Sequence, residues 1–433
     1  MAMNDFTIIR RSLTARLFST VITVVMVAVA VGLILVLLSM RDSSRQAFAR
    51  GAGNMHMLVT RDASPLVSVL NAVFYADPPR QPISWDRYER LSRELPLEYA
   101  IPVQQGDSYR GFPVLASDEA FFTAYEPNLG EPWAFAEGGP YAEPFDVVIG
   151  SGAARATGLS VGDEIVLTHG VGLSQRAAKD AGDSMKPHEH GEYTFTVSGI
   201  LEPTGGPHDR ALFAMLEASW VIHAHDRRLR EDPSATTTLA DIVAADRLIT
   251  SVYLRVFTRG GSQMSGAQQQ VFDILRSDPS LTVASPGDEI EKLFQIVGNV
   301  DQIFLGMAAI VMVSSGIAIL LALYNSMEQR RRQIAILRVL GCSRSRVFGL
   351  IVSESAIIGI FGAALGTVLA FAGGVAVAGI LKARLGLVVE PMIPPDWIFI
   401  VGMGALIISA IAGIIPGVMG YRTEVVRSLR PTG

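Results

Sequence analysis

The 433-residue sequence has one cysteine, Cys342, and only four lysines. A single cysteine excludes intrachain disulfides, so burial of apolar side chains must hold the fold together. None of the lysines follows a glycine, so the sequence lacks the Gly-x-x-x-x-Gly-Lys-Ser/Thr loop that binds nucleotide phosphates. It also lacks the zinc-protease motif His-Glu-x-x-His. A Gly-x-Ser-x-Gly pattern begins at Gly158, but a strand is predicted after it where a nucleophile elbow needs a helix. We therefore predict that these residues form a turn and that the chain is not an enzyme.

Long apolar runs, by contrast, are abundant. They predict an α-helical membrane protein with four transmembrane helices, at residues 17–40, 302–327, 347–381 and 397–421. The first run has no charged residue, and at about 1.5 Å per residue its helix spans roughly 36 Å, enough to cross a bilayer. Arginines are concentrated in residues 1–16, 328–346 and 422–433, which the positive-inside rule places in the cytoplasm. The loop 382–396 then lies on the opposite side.

Residues 41–301 form the large segment outside the cytoplasm in this topology. They have 22 Lys or Arg and 35 Asp or Glu, a net charge of −13, which leaves +8 for the rest of a chain whose total is −5. An acidic domain lacks the basic footprint of nucleic-acid binding. Its pattern is mixed α and β at both ends and β-rich in the middle. We predict one α/β unit from residues 41–110 and 246–287, an inserted β-rich subdomain at 111–245 and a stalk at 288–301.

Residues 328–346, which we call the arginine segment, carry six arginines and a single acid, Glu328. The apolar residues Ile334, Leu337 and either Val339 or Leu340 recur at helical spacing, so one face can bind a partner while the arginines stay in water. We predict a helix that lies along the cytoplasmic membrane surface. The alternative is a charged loop that only fixes the topology, as in any multispan protein.

Glu354 lies near the cytoplasmic start of the third apolar run. An acid inside a membrane is costly, so one hypothesis is a functional site. The alternative is an interfacial carboxylate that pairs with an arginine of the preceding helix. Gly359, Gly362 and Gly366 follow at spacings that would allow close helix approach in a membrane dimer, although such spacing is common wherever transmembrane helices pack.

These residues together resemble the signature of a known family. The run Glu328-x-Arg-Arg-Arg-x-Ile-Ala-Ile-Leu-Arg-x-Leu-Gly-x-Ser-Arg is followed by Val347-Phe348 and by Glu354-Ser-Ala-Ile-Ile-Gly-x-x-Gly-x-x-x-Gly366. It is similar to that of the FtsX-like permeases, the MacB and LolCDE kind of type VII ABC transporter subunit. The resemblance implies that residues 41–301 are a large extracytoplasmic α+β domain, a MacB-like periplasmic core with porter-like and inserted subdomains.

The resemblance also implies partners and roles. In such transporters the helix of the arginine segment sits in a groove of a cytoplasmic ATPase, and the first two spans carry the motion to the periplasmic domain. The implied partners are a separate ABC ATPase dimer that binds ATP and magnesium, a second permease subunit in a homodimer, and a periplasmic adaptor or lipoprotein. The implied location is a bacterial inner membrane, with both termini cytoplasmic. The implied ATPase-coupling residues are Glu328, Arg330, Arg331, Arg332, Ile334, Leu337, Arg338 and Gly341.

Two functions fit this pattern. The first is the permease subunit of an ABC transporter that exports or extracts a lipoprotein, lipid or peptide by mechanotransmission. The second is an FtsX-like regulator that activates a periplasmic partner such as a cell-wall hydrolase. The large size of residues 41–301 favours transport, because FtsX itself has a smaller extracytoplasmic domain.

The seven histidines all lie within residues 41–301, and several are closely spaced. In an extended strand, His-x-His places both imidazoles on one face, a spacing found in zinc and copper sites. The candidate ligands for a zinc ion are His188, His190, His208, Asp209, His223 and His225. The alternative is a set of ordinary solvated histidines.

Overall fold

The computed structural model describes residues 5–79, 81–169, 189–230, 232, 236–258, 266–385 and 393–422. The chain divides into two compact units. The first, which we call the membrane unit, comprises Met1–Ser44, Val297–Ile380 and Glu390–Gly433. The second, which we call the sheet unit, comprises Arg45–Ile296 and Leu381–Val389.

Helices and strands are numbered in chain order. The helices are α1 (Asp5–Ala15), α2 (Leu17–Gly51), α3 (Pro65–Ala72), α4 (Trp85–Glu94), α5 (Ala120–Thr123), α6 (Ser151–Thr157), α7 (Leu216–Leu229), α8 (Gln268–Arg276), α9 (Pro286–Val339), α10 (Arg344–Leu385), α11 (Pro395–Ala412) and α12 (Ile414–Tyr421). The strands are β1 (Met57–Thr60), β2 (Ile83–Ser84), β3 (Leu97–Tyr109), β4 (Phe112–Ser117), β5 (Phe135–Gly138), β6 (Asp146–Ile149), β7 (Glu164–His169), β8 (Glu189–Leu201), β9 (Leu212–Met215), β10 (Leu248–Ile249), β11 (Ser251–Val256) and β12 (Thr282–Ala284). Short 3₁₀ turns occur at Pro207–Arg210 and Leu239–Asp241.

The described part of the membrane unit consists of helices and short connections between them. Four segments there are long and apolar enough to cross a membrane: Leu17–Ser43, Gln302–Met327, Arg344–Gly379 and Pro395–Tyr421. Their buried core is aliphatic and includes Val31, Leu35, Ile319 and Ile358. Many other apolar side chains on these helices are exposed, as expected for surfaces that face lipid or another helix.

Glycines allow α10 to approach its neighbours within the chain. A Cβ added at Gly362 would lie 2.5 Å from the Cβ of Val27, and one at Gly366 would lie 2.7 Å from the backbone oxygen of Ala28. A Cβ at Gly359 would lie 2.6 Å from the Oγ of Ser409. The two later glycines therefore pack against α2 and the first against α11, so this stripe is filled by the chain's own helices and is not open to a second subunit.

The described part of the sheet unit contains one mixed ten-stranded sheet. Its order is β12-β1-β11-β3-β4-β9-β6-β8-β5, with β7 joining β3 and β8. Most neighbours are antiparallel, whereas β4 with β9 and β6 with β8 are parallel. Strands from the two ends of this segment therefore lie at one end of the sheet, and strands from residues 111–245 lie at the other. The two groups meet where β3 pairs with β4 and with β7.

One of the buried apolar clusters also joins the two groups of strands. One buried cluster contains Leu58 and Tyr253 from the first group and Val148 and Phe213 from the second. The aromatic rings of this cluster pack edge to face or tilted, with Phe121 about 5.3 Å from both Tyr125 and Phe213.

The end of α2 is wedged into this core. A Cβ at Gly51 would lie 2.8 Å from the ring of Phe74 and 2.9 Å from Pro207, so only glycine fits. Gly53 has a positive φ of 59° and lies against the ring of Tyr125, where a side chain would clash. The chain therefore leaves α2 with little freedom to shift inside the sheet unit.

Candidate functional site

The arginine segment is not a separate helix along the membrane surface. Helix α9 continues without a break from the transmembrane window Gln302–Met327 through to Val339. It stops at Gly341, whose φ is +95°, with backbone bonds from Gly341 N to Arg338 O (3.1 Å) and from Cys342 N to Leu337 O (3.0 Å). These bonds form a Schellman motif, which needs a residue in the left-handed region. Gly341 is thus a helix terminator, and Ser343 caps the N-terminus of α10 through its Oγ and Arg346 N.

The two faces of this helical end differ from the expected ones. Ile334 is only 6% exposed and packs in a cluster with Met327, Val347 and Ile351, so it is not on the exposed face of the helix. The apolar side chains that remain accessible are Ile336, Val339 and Leu340, the last two 64% and 76% exposed. They recur at i, i+3 and i+4, so they form one face of the helix; we call them the exposed stripe.

The charged residues of the segment also separate into two groups. Arg331 and Arg332 are exposed, whereas Arg330 and Arg338 are half-buried. The side chain of Glu328 lies outside the described residues.

Glu354 is the centre of a charge cluster that includes Arg330. The Glu354 side chain accepts two bonds from the Arg330 guanidinium, at 2.8 and 3.1 Å. It also accepts a bond from Arg16 Nη2 at 2.7 Å and from Ser12 Oγ at 2.8 Å. Glu354 is 3% exposed, so this buried carboxylate is fully paired, as its cost of burial demands. The structure thus places Glu354 against an arginine of the preceding helix, the second of the two interpretations.

Helix α1 is a component of this site that the sequence analysis did not use. It lies along the first three turns of α10, because Asp5 pairs with Arg346 at one end and Ser12 bonds Glu354 at the other. A signal for it exists in the sequence, since Phe6, Ile9 and Leu13 recur at helical spacing opposite Arg11.

A cavity of about 590 Å³ lies between α1, the end of α9 and the start of α10. Its lining is mostly aliphatic. Ile8, Leu337, Leu340 and Leu350 are among the apolar residues, and Arg11, Arg16, Arg330 and Glu354 are the charged ones. The arrangement combines an apolar pocket, an exposed apolar stripe and an excess of arginine at one end of the membrane unit.

Comparison with known proteins agrees with this arrangement. The sequence model of the MacB-like periplasmic core domain matches residues 20–274, more than half of the chain. The model of the FtsX-like permease C-terminal family matches residues 305–425, which include the arginine segment and Glu354. The chain belongs to the FtsX-like permease family. It is therefore a membrane protein of the ABC transporter permease type with a large α+β extracytoplasmic domain.

Two individual proteins are similar to this permease. One is an uncharacterised ABC transporter permease of Methanocaldococcus jannaschii, 26% identical over 178 residues, or 40% of this chain and 43% of the relative. The match thus spans less than half of that relative's length. The other is the crystal structure of the extracellular domain of the noncanonic ABC-type transporter YknZ from Gram-positive bacteria. It aligns with 53% of the permease and 98% of that domain at 8% identity and a TM-score of 0.26.

The predicted histidine ligands of the permease do not converge among the described residues. His208 is buried, and both of its ring nitrogens are occupied, Nδ1 by the hydroxyl of Tyr75 at 2.5 Å and Nε2 by the hydroxyl of Tyr125 at 3.0 Å. Burial lowers the pKa of His208 to about 3, so the ring stays neutral. Asp209 instead caps a turn, where it accepts bonds from Thr204 and Gly205.

His223 and His225 lie on helix α7 and not on a strand. Two residues apart on a helix, they point to different faces, and His225 is buried with Nδ1 3.1 Å from the Oγ1 of Thr237. Within the described ranges, no group of three or more His, Cys, Asp or Glu is placed to hold a metal ion. His188 and the side chain of His190 lie outside those ranges, so the zinc hypothesis now depends on them.

Proposed function

We propose that this permease transmits the motion of a separate cytoplasmic ABC ATPase to its extracytoplasmic domain, and that it does so to export or extract a lipoprotein, lipid or peptide. It would act at the cytoplasmic membrane, with both termini in the cytoplasm and residues 41–301 outside. ATP and magnesium would be bound by the ATPase, because the 433 residues of the permease include no phosphate-binding loop.

The continuity of α9 carries this proposal. The helix has 54 residues, begins at Pro286 just after the last strand of the sheet unit and ends at the exposed stripe. At about 1.5 Å per residue it is roughly 81 Å long. A helix without a proline or a bulge in its interior is stiff, so a displacement at its cytoplasmic end is passed along its axis. Helix α2 gives a second path for the displacement, and its end is closely packed at Gly51 and Gly53.

A second copy of the chain completes the proposed transporter. Positions 303, 306, 310, 313, 317, 320 and 324 of α9 follow a heptad pattern of first and fourth positions and read Ile, Gly, Ile, Val, Ile, Leu and Tyr. Ile303, Ile310 and Ile317 are 63%, 67% and 53% exposed within one chain. A seven-residue repeat of accessible apolar residues favours a left-handed pairing of α9 with α9 of the second subunit.

Replacing Val339 or Leu340 with Asp tests the docking of the ATPase. Both side chains are largely exposed, so the variants should fold normally. A carboxylate buried in an apolar interface without a partner costs several kcal/mol, so we expect the ATPase to be lost at least tenfold more readily. Retention of a co-expressed ABC ATPase on the purified permease is the measurement. Stimulated ATP hydrolysis is the second readout.

Val243→Asp is the matched control, because Val243 is a similarly exposed valine in the sheet unit. It should bind the ATPase like the wild type. Full binding and stimulation by both Val339→Asp and Leu340→Asp would rule out the exposed stripe as the coupling element.

A further inference from the structure

We infer that helix α1 is the second wall of the ATPase docking site and that the cavity between α1 and the arginine segment receives an apolar side chain from an acidic surface of the ATPase. This inference rests on the proposed function, since it names a further part of the same contact. Helix α1 precedes the family signature, which begins at Glu328, whereas signature residues such as Arg330, Leu337 and Glu354 line the cavity.

The lining of the cavity sets the chemistry of its occupant. Ile8 comes from α1, Ile336 and Leu340 come from the end of α9, and Leu350 comes from α10. Two of these residues, Ile336 and Leu340, also belong to the exposed stripe, so the stripe and the cavity form one continuous apolar surface. A space of about 590 Å³ is large enough for one or two bulky apolar side chains.

Charge identifies the partner further. Arg11 lines the cavity, and Arg10, Arg331 and Arg332 are exposed nearby on the same two helices. Residues 1–16 and 328–346 together carry nine arginines against Asp5 and Glu328. An apolar projection surrounded by carboxylates complements this surface, both by contact and by electrostatic steering.

The order of residues along α9 argues against a phospholipid as the occupant. Arg330 lies three residues beyond the transmembrane window, whereas Ile336 and Leu340 lie farther from it. The charged end of the cavity, at Arg330, is therefore nearer the bilayer, and the apolar residues Ile336 and Leu340 are nearer the cytoplasm. A phospholipid needs the opposite order, with its headgroup outward and its chains toward the bilayer.

The cluster at Glu354 holds α1 in this position. Arg16, which immediately follows α1, and Arg330 of α9 both bind the same carboxylate, and the Asp5–Arg346 pair fixes the other end of α1. The wall is thus connected to both transmembrane helices that flank the arginine segment. Force applied by a side chain in the cavity reaches α2, α9 and α10 together.

Two matched pairs of variants in the full chain, co-expressed with the ATPase, test the inference. Ile8→Asp places a charge inside the cavity, whereas Phe6→Asp places one on the same helix at a residue that is exposed and does not line it. We expect Ile8→Asp to weaken ATPase retention at least tenfold and Phe6→Asp to leave it unchanged. Arg11→Glu should weaken retention several-fold at low salt and less at high salt, whereas its neighbour Arg10→Glu should have a smaller effect.

The outcomes distinguish a failure of the inference about α1 and the cavity from a failure of the proposed function. If Val339→Asp releases the ATPase and Ile8→Asp does not, with both variants folded as judged by their melting temperatures in detergent, the stripe is the whole docking site and the inference is wrong. If neither variant releases it, the proposed function fails as well. Loss of a co-purified phospholipid from Ile8→Asp, measured by mass spectrometry with the ATPase still bound, would show a lipid site and overturn the inference. A change from dimer to monomer with the ATPase still bound would overturn it too, because the cavity would then belong to the subunit interface.

Discussion

Glu354 illustrates what a single residue decides in this protein. A carboxylate near the membrane needs a partner, and the arginines just before it in the sequence made Arg330 a reasonable one. The structure adds Arg16 and Ser12, which are more than 330 residues away. The cluster has two cations for one anion, so removal of Glu354 would leave two arginines with no acid between them.

His208 gives a prediction at the same scale for the sheet unit. Because burial lowers the pKa of His208 to about 3, the folded chain binds this proton far less readily than the unfolded chain, whose pKa is about 6.5. The contribution of His208 to the free energy of unfolding is therefore fully present above about pH 6.5. It falls as the pH drops below that value, by up to about 1.4 kcal/mol per pH unit. We expect the melting temperature of the full chain in detergent to fall between pH 7 and pH 5. Near-UV circular dichroism follows it, since the rings of Trp133 and His208 lie 5.4 Å apart.

His208→Gln is the comparison for that measurement. The variant should be less stable at pH 7, because its amide replaces two hydrogen bonds of a buried ring imperfectly, and its melting temperature should depend less on pH. Asp118 has the opposite effect: burial raises its pKa to about 6, so ionisation of this carboxyl destabilises the fold as the pH rises from about 3.8. The contribution of Asp118 is the same in the wild type and in His208→Gln. Equal pH slopes would contradict the assignment of the acid sensitivity to His208.

Helix α9 is the element on which the proposed transmission depends. Its sequence changes character twice, from acidic residues at Asp288 and Glu289, to an apolar window, to arginines, yet its backbone stays helical throughout. Composition therefore suggested three separate segments: a stalk, a span and a surface helix. The hydrogen-bonded backbone makes them one, because no proline interrupts residues 287–339 and the first described residue after Pro286 that adopts the left-handed conformation is Gly341.

Gly298 allows a test of this continuity with two substitutions at one position. A Cβ there meets no atom within 4 Å, so Gly298→Ala should be tolerated and should favour the helix. Gly298→Pro removes a backbone donor and clashes with the preceding turn, at a local cost of about 3 kcal/mol. We expect the proline variant to bind the ATPase normally but to lose the ATP-dependent change in hydrogen exchange of residues 45–296. If the proline variant responds to ATP like the alanine variant, α9 is not the transmission path.

At the scale of the whole molecule, we expect α9 to form the surface that meets the second subunit. The glycine stripe of α10 is covered by α2 and α11, whereas α9 presents Ile303, Ile310 and Ile317 on its surface. Single cysteines at these three positions, in a Cys342→Ser background, should form intersubunit disulfides in the membrane with a seven-residue periodicity. Ile400 and Ile407 of α11 are similarly exposed and serve as controls. Cross-linking at the α11 positions and none along α9 would show that the subunits meet through α11 and not through α9.

The sequence by itself determined the class of this protein and the identity of its four spans, because long uncharged runs and arginine clusters act through local chemistry that needs no neighbours. It also predicted the mixed α and β character of residues 41–301, since strand and helix periodicities are local. Only the tertiary structure decided which face of the arginine segment is free. Ile334 and Val339 are both apolar, and it is contact with Val347 and Ile351 that buries the first and leaves the second accessible. The same holds for the histidines: spacing along the chain places ligands together only if the backbone is extended, whereas His223 and His225 lie on a helix and two tyrosines enclose His208.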